Sequence, residues 1–172
     1  MKYPPLALLF LSILFASTAC TRGDSLEDIA ESEPESSGTA GDDAAISKVR
    51  AAVRAMSQRD ATVESVAAEM EGVIKARTKS QALIHYDGYR AAFVTPGGRV
   101  SQVTFSLIEA KPSVQQMTDA FGTPSEVPRG MLYEQSFAST GAKIDILAEP
   151  VSMPADESSL VRRIIVRGSR RR

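Results

Sequence analysis

The spacing of hydrophobic positions changes several times along this chain, and each change predicts an element. Residues 6–16 are almost continuously apolar. Over 44–57, Ile46, Val49, Val53 and Met56 recur at intervals of three and four. Over 61–77, Val63, Val66, Ala67, Met70, Val73 and Ile74 do the same. That is the period of a helix with one buried stripe, so two helices are expected, with core packing as the role of the Val/Met stripe. Asp60 is the expected N-cap of the second. The period then falls to two. Ile84–Ala91 is centred on Asp87-Gly88, two residues that tolerate the positive φ of a type I′ hairpin turn. Tyr86 and Tyr89 should pair across it. Thr95-Pro96-Gly97-Gly98-Arg99 predicts a second turn into Val100–Ile108. There Val103, Phe105 and Leu107 alternate with Gln102, Thr104 and Ser106, as in an antiparallel strand with one buried and one wet face.

The pattern then restarts. Pro112-Ser113 opens a short helix in which Ser113 and Gln116 have capping-box spacing and Val114, Met117 and Phe121 form the apolar face. Gly122 and Pro124 stop it. Strands are expected at 131–137, 142–148 and 160–167, with residues 149–159 a polar loop punctuated by proline. Helix followed by a three-strand meander, twice, predicts an α+β domain over 44–172. Helices would pack on antiparallel sheet as two α-βββ units, about 44–109 and 110–167, with a basic tail at 168–172.

The N-terminus adds a destination. Lys2 precedes the apolar run, and the small residues Ser17-Thr18-Ala19 precede Cys20. A positive start, a short apolar stretch and small residues before a cleavage point make 1–19 a signal peptide. Eleven apolar residues fall short of the roughly 20 that a membrane span needs. Cys20 is the only cysteine, so it has no disulfide partner within the chain. Residues 20–43 read as a flexible acidic linker, too poor in apolar groups to offset the entropy of ordering. At that length the root-mean-square reach is roughly 25–30 Å.

Charge changes the picture further. The net charge of −1 hides eight acids between Gly23 and Ser47 with no Lys or Arg among them, and six arginines within residues 162–172. Arginine offers forked donors matched to phosphate and carboxylate. Arg163, Arg167, Arg170, Arg171 and Arg172 are therefore candidate anion-binding residues for anionic lipid, lipopolysaccharide phosphates or peptidoglycan carboxylates. The alternative is a solvated strand face ending in a frayed terminus. Nucleic acid is not expected as a partner outside the cytoplasm. With no Trp, one His and one Cys, metal clusters of His and Cys are not expected. No cofactor is implied. His85 is the one conventional general base. The hairpin points it toward solvent beside Arg90, so no catalytic residue is assigned and an enzyme is not expected.

Thr18-Ala19-Cys20 resembles the lipobox of bacterial lipoproteins, with Ser17 standing where leucine is usual. The resemblance implies a diacylglyceryl group and further acylation, such as palmitate, on Cys20. Cleavage by the ordinary signal peptidase at the same bond remains the alternative. Ser113–Pro124, followed by strands, resembles the SmpA/OmlA family of small outer-membrane lipoproteins, one of which belongs to the β-barrel assembly machinery. Ser113, Met117, Phe121, Gly122 and Pro124 match its helix and stop, while Lys111-Pro112 stands where that family has Gly-Met. The doubled helix-plus-meander unit also resembles the β-lactamase-inhibitor-protein fold, whose members bind proteins with the sheet face. Both imply protein binding. The expectation is a lipid-anchored envelope protein, in the outer membrane facing the periplasm, acting as a non-catalytic binding or scaffold module for an envelope protein. The runner-up is a periplasmic inhibitor of an enzyme such as a hydrolase.

Overall fold

From Ala40 the chain forms α1 (Ala40–Ser57), α2 (Val63–Glu69), and strands β1 (Ile74–Arg77), β2 (Gln81–Tyr86) and β3 (Tyr89–Val94). A 3-10 turn at Pro96–Gly98 leads to β4 (Gln102–Leu107) and α3 (Val114–Phe121). Then come β5 (Ser125–Val127), β6 (Gly130–Phe137), β7 (Ala142–Pro150) and β8 (Val161–Gly168). The structure is a computed structural model describing residues 40–168. The expectations for 1–39, including Cys20, and for Arg170, Arg171 and Arg172 lie outside the described residues.

α1 starts four residues earlier than its apolar stripe predicts. Asp42 and Asp43 sit in its first turn, where carboxylates complement the positive end of the helix dipole. Asp42 is buried, and its Oδ1 accepts a 2.7 Å hydrogen bond from the backbone N–H of Lys111, which ties the helix start to the chain beyond β4. Ala45, Val49 and Ala52, further along the same stripe as Asp42, are fully buried.

α2 is capped by Thr62, not Asp60. The Thr62 hydroxyl accepts from the Ser65 amide at 3.2 Å, and the Ser65 hydroxyl accepts from the Thr62 amide at 3.0 Å. The helix also stops at Glu69, well short of 77. Glu71 takes a positive φ of 50°, and a Cβ at Gly72 would collide with the Tyr86 hydroxyl and the Ile84 side chain. The chain must turn there to let β2 pass. Val73 is consequently 68% exposed, and Ile74 opens β1.

The β2–β3 hairpin has the expected register, with Tyr86 opposite Tyr89 and their rings stacked at 4.8 Å. Its turn is not type I′, because only Gly88 has a positive φ, at 76°. In α3 the Ser113–Gln116 capping box forms in both directions, and Gly122, at φ 88°, ends the helix.

All eight strands join one open antiparallel sheet in the order β1-β2-β3-β4-β8-β7-β6-β5. This corrects the expected α+β arrangement of two α-βββ units. Each helical stretch is followed by four strands, not three, because short β1 and β5 have no alternation long enough to read. The two meanders fuse edge to edge where β4 pairs with β8, Phe105 opposite Ile164 and Val103 opposite Val166. The helices are also not distributed by unit: α1 packs over β7 and β8, across the seam from the strands that follow it, while α3 packs over β6 and β7. The fold is sheet-rich, with 28% helix and 42% strand among the described residues.

Burial explains why the halves merge. Ile84, Ala91, Phe93, Val103, Phe105, Tyr133, Ile144, Ile146, Ile164 and Val166 all face the helices and belong to one hydrophobic cluster. Burying apolar area yields roughly 25 cal/mol per Å², so a shared core is favoured over two small ones with exposed rims.

Candidate binding surface on the open face of the sheet

Alternation that turns ten side chains toward the helices turns their neighbours away. The pairing registers align these neighbours into rows across the sheet. The central row is Leu83, Ala92, Thr104, Ile165, Leu147 and Leu132, contributed in order by β2, β3, β4, β8, β7 and β6. At about 4.8 Å between strands the row is about 24 Å long. Ile165 at its centre is only 7% exposed although no helix covers it, and it stands outside the main core cluster. Its neighbours on the face shield it. Ala92 is exposed, and Leu83, Thr104, Leu132 and Leu147 are half-buried.

Two polar rows flank this band. One runs His85, Arg90, Ser106, Arg163 and Glu149. Arg163 reaches Glu149 at 3.2 Å, a pair in which the carboxylate side chain is 8% exposed and the guanidinium 48%. The other runs Gln81, Val94, Gln102, Arg167, Asp145 and Glu134. Arg167 donates from Nε to Gln102 Oε1 at 2.8 Å. Burial and the neighbouring Glu134 charge push the Asp145 carboxyl above its ordinary value, against a smaller pull from Arg167 and Lys143. Charges are thus held in fixed positions on either side of an apolar stripe, the arrangement that gives a protein surface register as well as adhesion.

Of the residues singled out from sequence, Arg163 and Arg167 lie on this face, four residues apart in β8 with Ile165 between them. They are engaged with Glu149 and Gln102, so they order the surface in addition to charging it. His85 is also on the face, opposite Arg90, and forms no side-chain hydrogen bond among the described residues. The loop expected at 149–159 begins only after Pro150, the last residue of β7, and presents Val151 and Met153, 55% and 42% exposed. Among the described residues no group of three or more His, Cys, Asp or Glu could hold a metal ion, and no helix is long and apolar enough to cross a membrane.

Sequence reading missed the central row. Its signal was present in two breaks of alternation: Ile164-Ile165-Val166 and Ile146-Leu147-Ala148 each carry an apolar residue where a polar one is due. That Ile165 and Leu147 stand side by side follows only from the β7–β8 register. Compared with protein-family models, with curated proteins and with solved structures, the chain matches none, so nothing there identifies a SmpA/OmlA-like or inhibitor-like family.

Proposed function

We propose that the protein is a non-catalytic binding module of the cell envelope, tethered through a lipidated Cys20, whose envelope protein partner docks on the open sheet face. The observation that carries this reading is the apolar row from Leu83 to Leu132 between two rows of positioned charges. Eight strands at about 4.8 Å, averaging about 20 Å in length, present a face of about 770 Å². That is close to the roughly 800 Å² a partner contributes to a standard interface. The anchor is supported by the signal-peptide pattern and by the lipobox-like Thr18-Ala19-Cys20.

Mild crosslinking followed by affinity capture from envelopes tests the reading, with wild type, Cys20→Ala and Ala92→Arg in parallel. Ala92 is exposed in the middle of the apolar row, so arginine there obstructs docking and leaves the core untouched. The expected result is an envelope protein captured by wild type, weakened at least tenfold by Ala92→Arg, and lost from membranes with Cys20→Ala. Capture unchanged by Ala92→Arg would remove the sheet face from consideration.

The exposed Val151 and Met153 favour a second reading, a loop that inserts into an enzyme cleft. One soluble hydrolase captured equally by the Cys20 forms, and released by Met153→Asp but not by Ala92→Arg, would establish that reading instead.

A further inference from the structure

At one end of the sheet, where β4 and β7 begin and β8 finishes, lies a cavity of about 580 Å³ between the strand ends and the C-terminal turn of α1. Its floor is apolar: Met56, Val100 and Ile144 are all nearly fully buried. Its rim carries three cations, Arg59, Arg99 and Lys143, and among the described residues no carboxylate lines it. The volume falls in the range of small-molecule sites, which typically combine an apolar lining with a few placed polar groups.

The three cations reach the rim from separate elements. Arg59 follows α1, Arg99 follows the 3-10 turn, and Lys143 is the second residue of β7. Arg99 donates from Nη2 to the Gln58 carbonyl at 3.3 Å, which fixes its guanidinium at the helix end and leaves most of its five donors unused. Arg59 and Lys143 form neither a hydrogen bond nor an ion pair within 4 Å among the described residues, whereas Lys48, Arg54, Arg77 and Arg163 each have a carboxylate partner. The nearby acids Asp60 and Glu69 line an adjoining depression that shares Arg59, and Glu69 is already paired with Arg54.

We propose that this cavity binds the phosphate of an amphiphilic phosphate ester, with the phosphate on the Arg59, Arg99 and Lys143 rim and the apolar part of the ligand against Met56, Val100 and Ile144. Three cations, none of them in an ion pair among the described residues and only Lys143 drawn toward a nearby carboxylate, Asp145, suit a group carrying about −1.5 to −2 better than a single carboxylate. Forked arginine donors match phosphate oxygens. The apolar floor selects an ester with a hydrocarbon portion over the free ion. Its apolar floor lies on the helix side of the sheet, while Lys143 adjoins Asp145 at the edge of the open face, so the floor is available whether or not a protein docks on that face.

Amide chemical shifts of the Cys20→Ala chain test it, using dihexanoyl phosphatidate, dihexanoyl phosphatidylcholine and inorganic phosphate as probes. The phosphatidate should give saturable shifts confined to Arg59, Val100, Ser101 and residues 141–144. Phosphatidylcholine, with a neutralised headgroup, should bind at least tenfold more weakly. Inorganic phosphate should also be at least tenfold weaker, and equal affinity would overturn the amphiphile in favour of a free phosphate ion. Arg59→Gln and Lys143→Gln, both at exposed side chains, should each weaken phosphatidate several-fold with the rest of the spectrum unchanged. Shifts spread over Arg90, Arg163 and Arg167 instead, or no saturable shift at all, would overturn the proposal.

Discussion

Tyrosine environments are the sharpest residue-scale consequence of the fold. The chain has four tyrosines, and three of them, Tyr86, Tyr89 and Tyr133, lie among the described residues. Burial and the nearby Glu71 charge push Tyr86 up to about 12; burial and Tyr86 itself push Tyr89 up to about 12. Burial raises Tyr133 as well, against a smaller pull from its contact with Thr118. The Tyr86 hydroxyl donates to the Met70 carbonyl at 3.1 Å, and Lys48 stands 6.0 Å over its ring while pairing with Glu71 at 2.6 Å. A phenol that holds its proton more tightly folded than unfolded stabilises the fold fully below its unfolded value, here 10.0. That stability is lost as the pH rises from there toward the folded value. A Tyr3→Phe variant should therefore show no phenolate absorbance step near pH 10, and its denaturant midpoint should be flat just below pH 10 and fall toward pH 12. A phenolate step at pH 10 in a still-folded protein would contradict the burial of these rings. The Tyr86–Tyr89 pairing was legible because an Asp-Gly turn sets its own register; the Met70 contact was not, since it joins residues brought together only when α2 ends.

Among the elements, α2 separates local from tertiary control most clearly. Its apolar stripe runs on to Ile74, yet the helix ends at Glu69 because β2 passes too close to Gly72 for a side chain there. Its N-terminus is set by Thr62 and Ser65, which satisfy each other's amides. Asp60 has the right chemistry but stands two residues early. Thr62→Ala should cost about 1 kcal/mol, while Asp60→Ala should cost under about 0.5 kcal/mol, read from urea midpoints at constant m-value. Equal losses would return the cap to Asp60. α3 shows the opposite case: Ser113, Gln116, Gly122 and Pro124 bracket it within twelve residues, so start, face and stop were all legible. β1 and β5 were not, because four and three residues give no periodicity to detect and are held mainly by their partners β2 and β6.

For the molecule as a whole, the seam between β4 and β8 matters most. α1 precedes the first meander yet covers strands of the second, so neither half buries its face alone. Unfolding should be one cooperative transition. In a Tyr3→Phe/Tyr133→Phe variant tyrosine fluorescence reports only Tyr86 and Tyr89 in the first meander, whereas far-ultraviolet circular dichroism reports both meanders; their denaturant midpoints should coincide. Separated midpoints would mean that the halves fold independently. The same continuity creates the candidate surface, because a row of five apolar residues and Thr104 exists only when both meanders lie in one sheet.

The sequence alone determined what local rules control: the signal-peptide pattern, the helical stripe of α1, the β2–β3 pairing, the bracketed α3 and the alternation of β4, β6, β7 and β8. Each depends on residues within about a dozen positions of one another, where period, turn chemistry and capping act directly. Tertiary structure decided how the two meanders join, which strands α1 covers, where α2 must stop, and which outward side chains become neighbours. Arg59, Arg99 and Lys143 are far apart in the chain and unremarkable by spacing, and Ile165 and Leu147 meet only through strand register. Such proximities arise because one shared core buries more apolar surface than two, and a linear pattern of polarity records the need for burial without recording the partner.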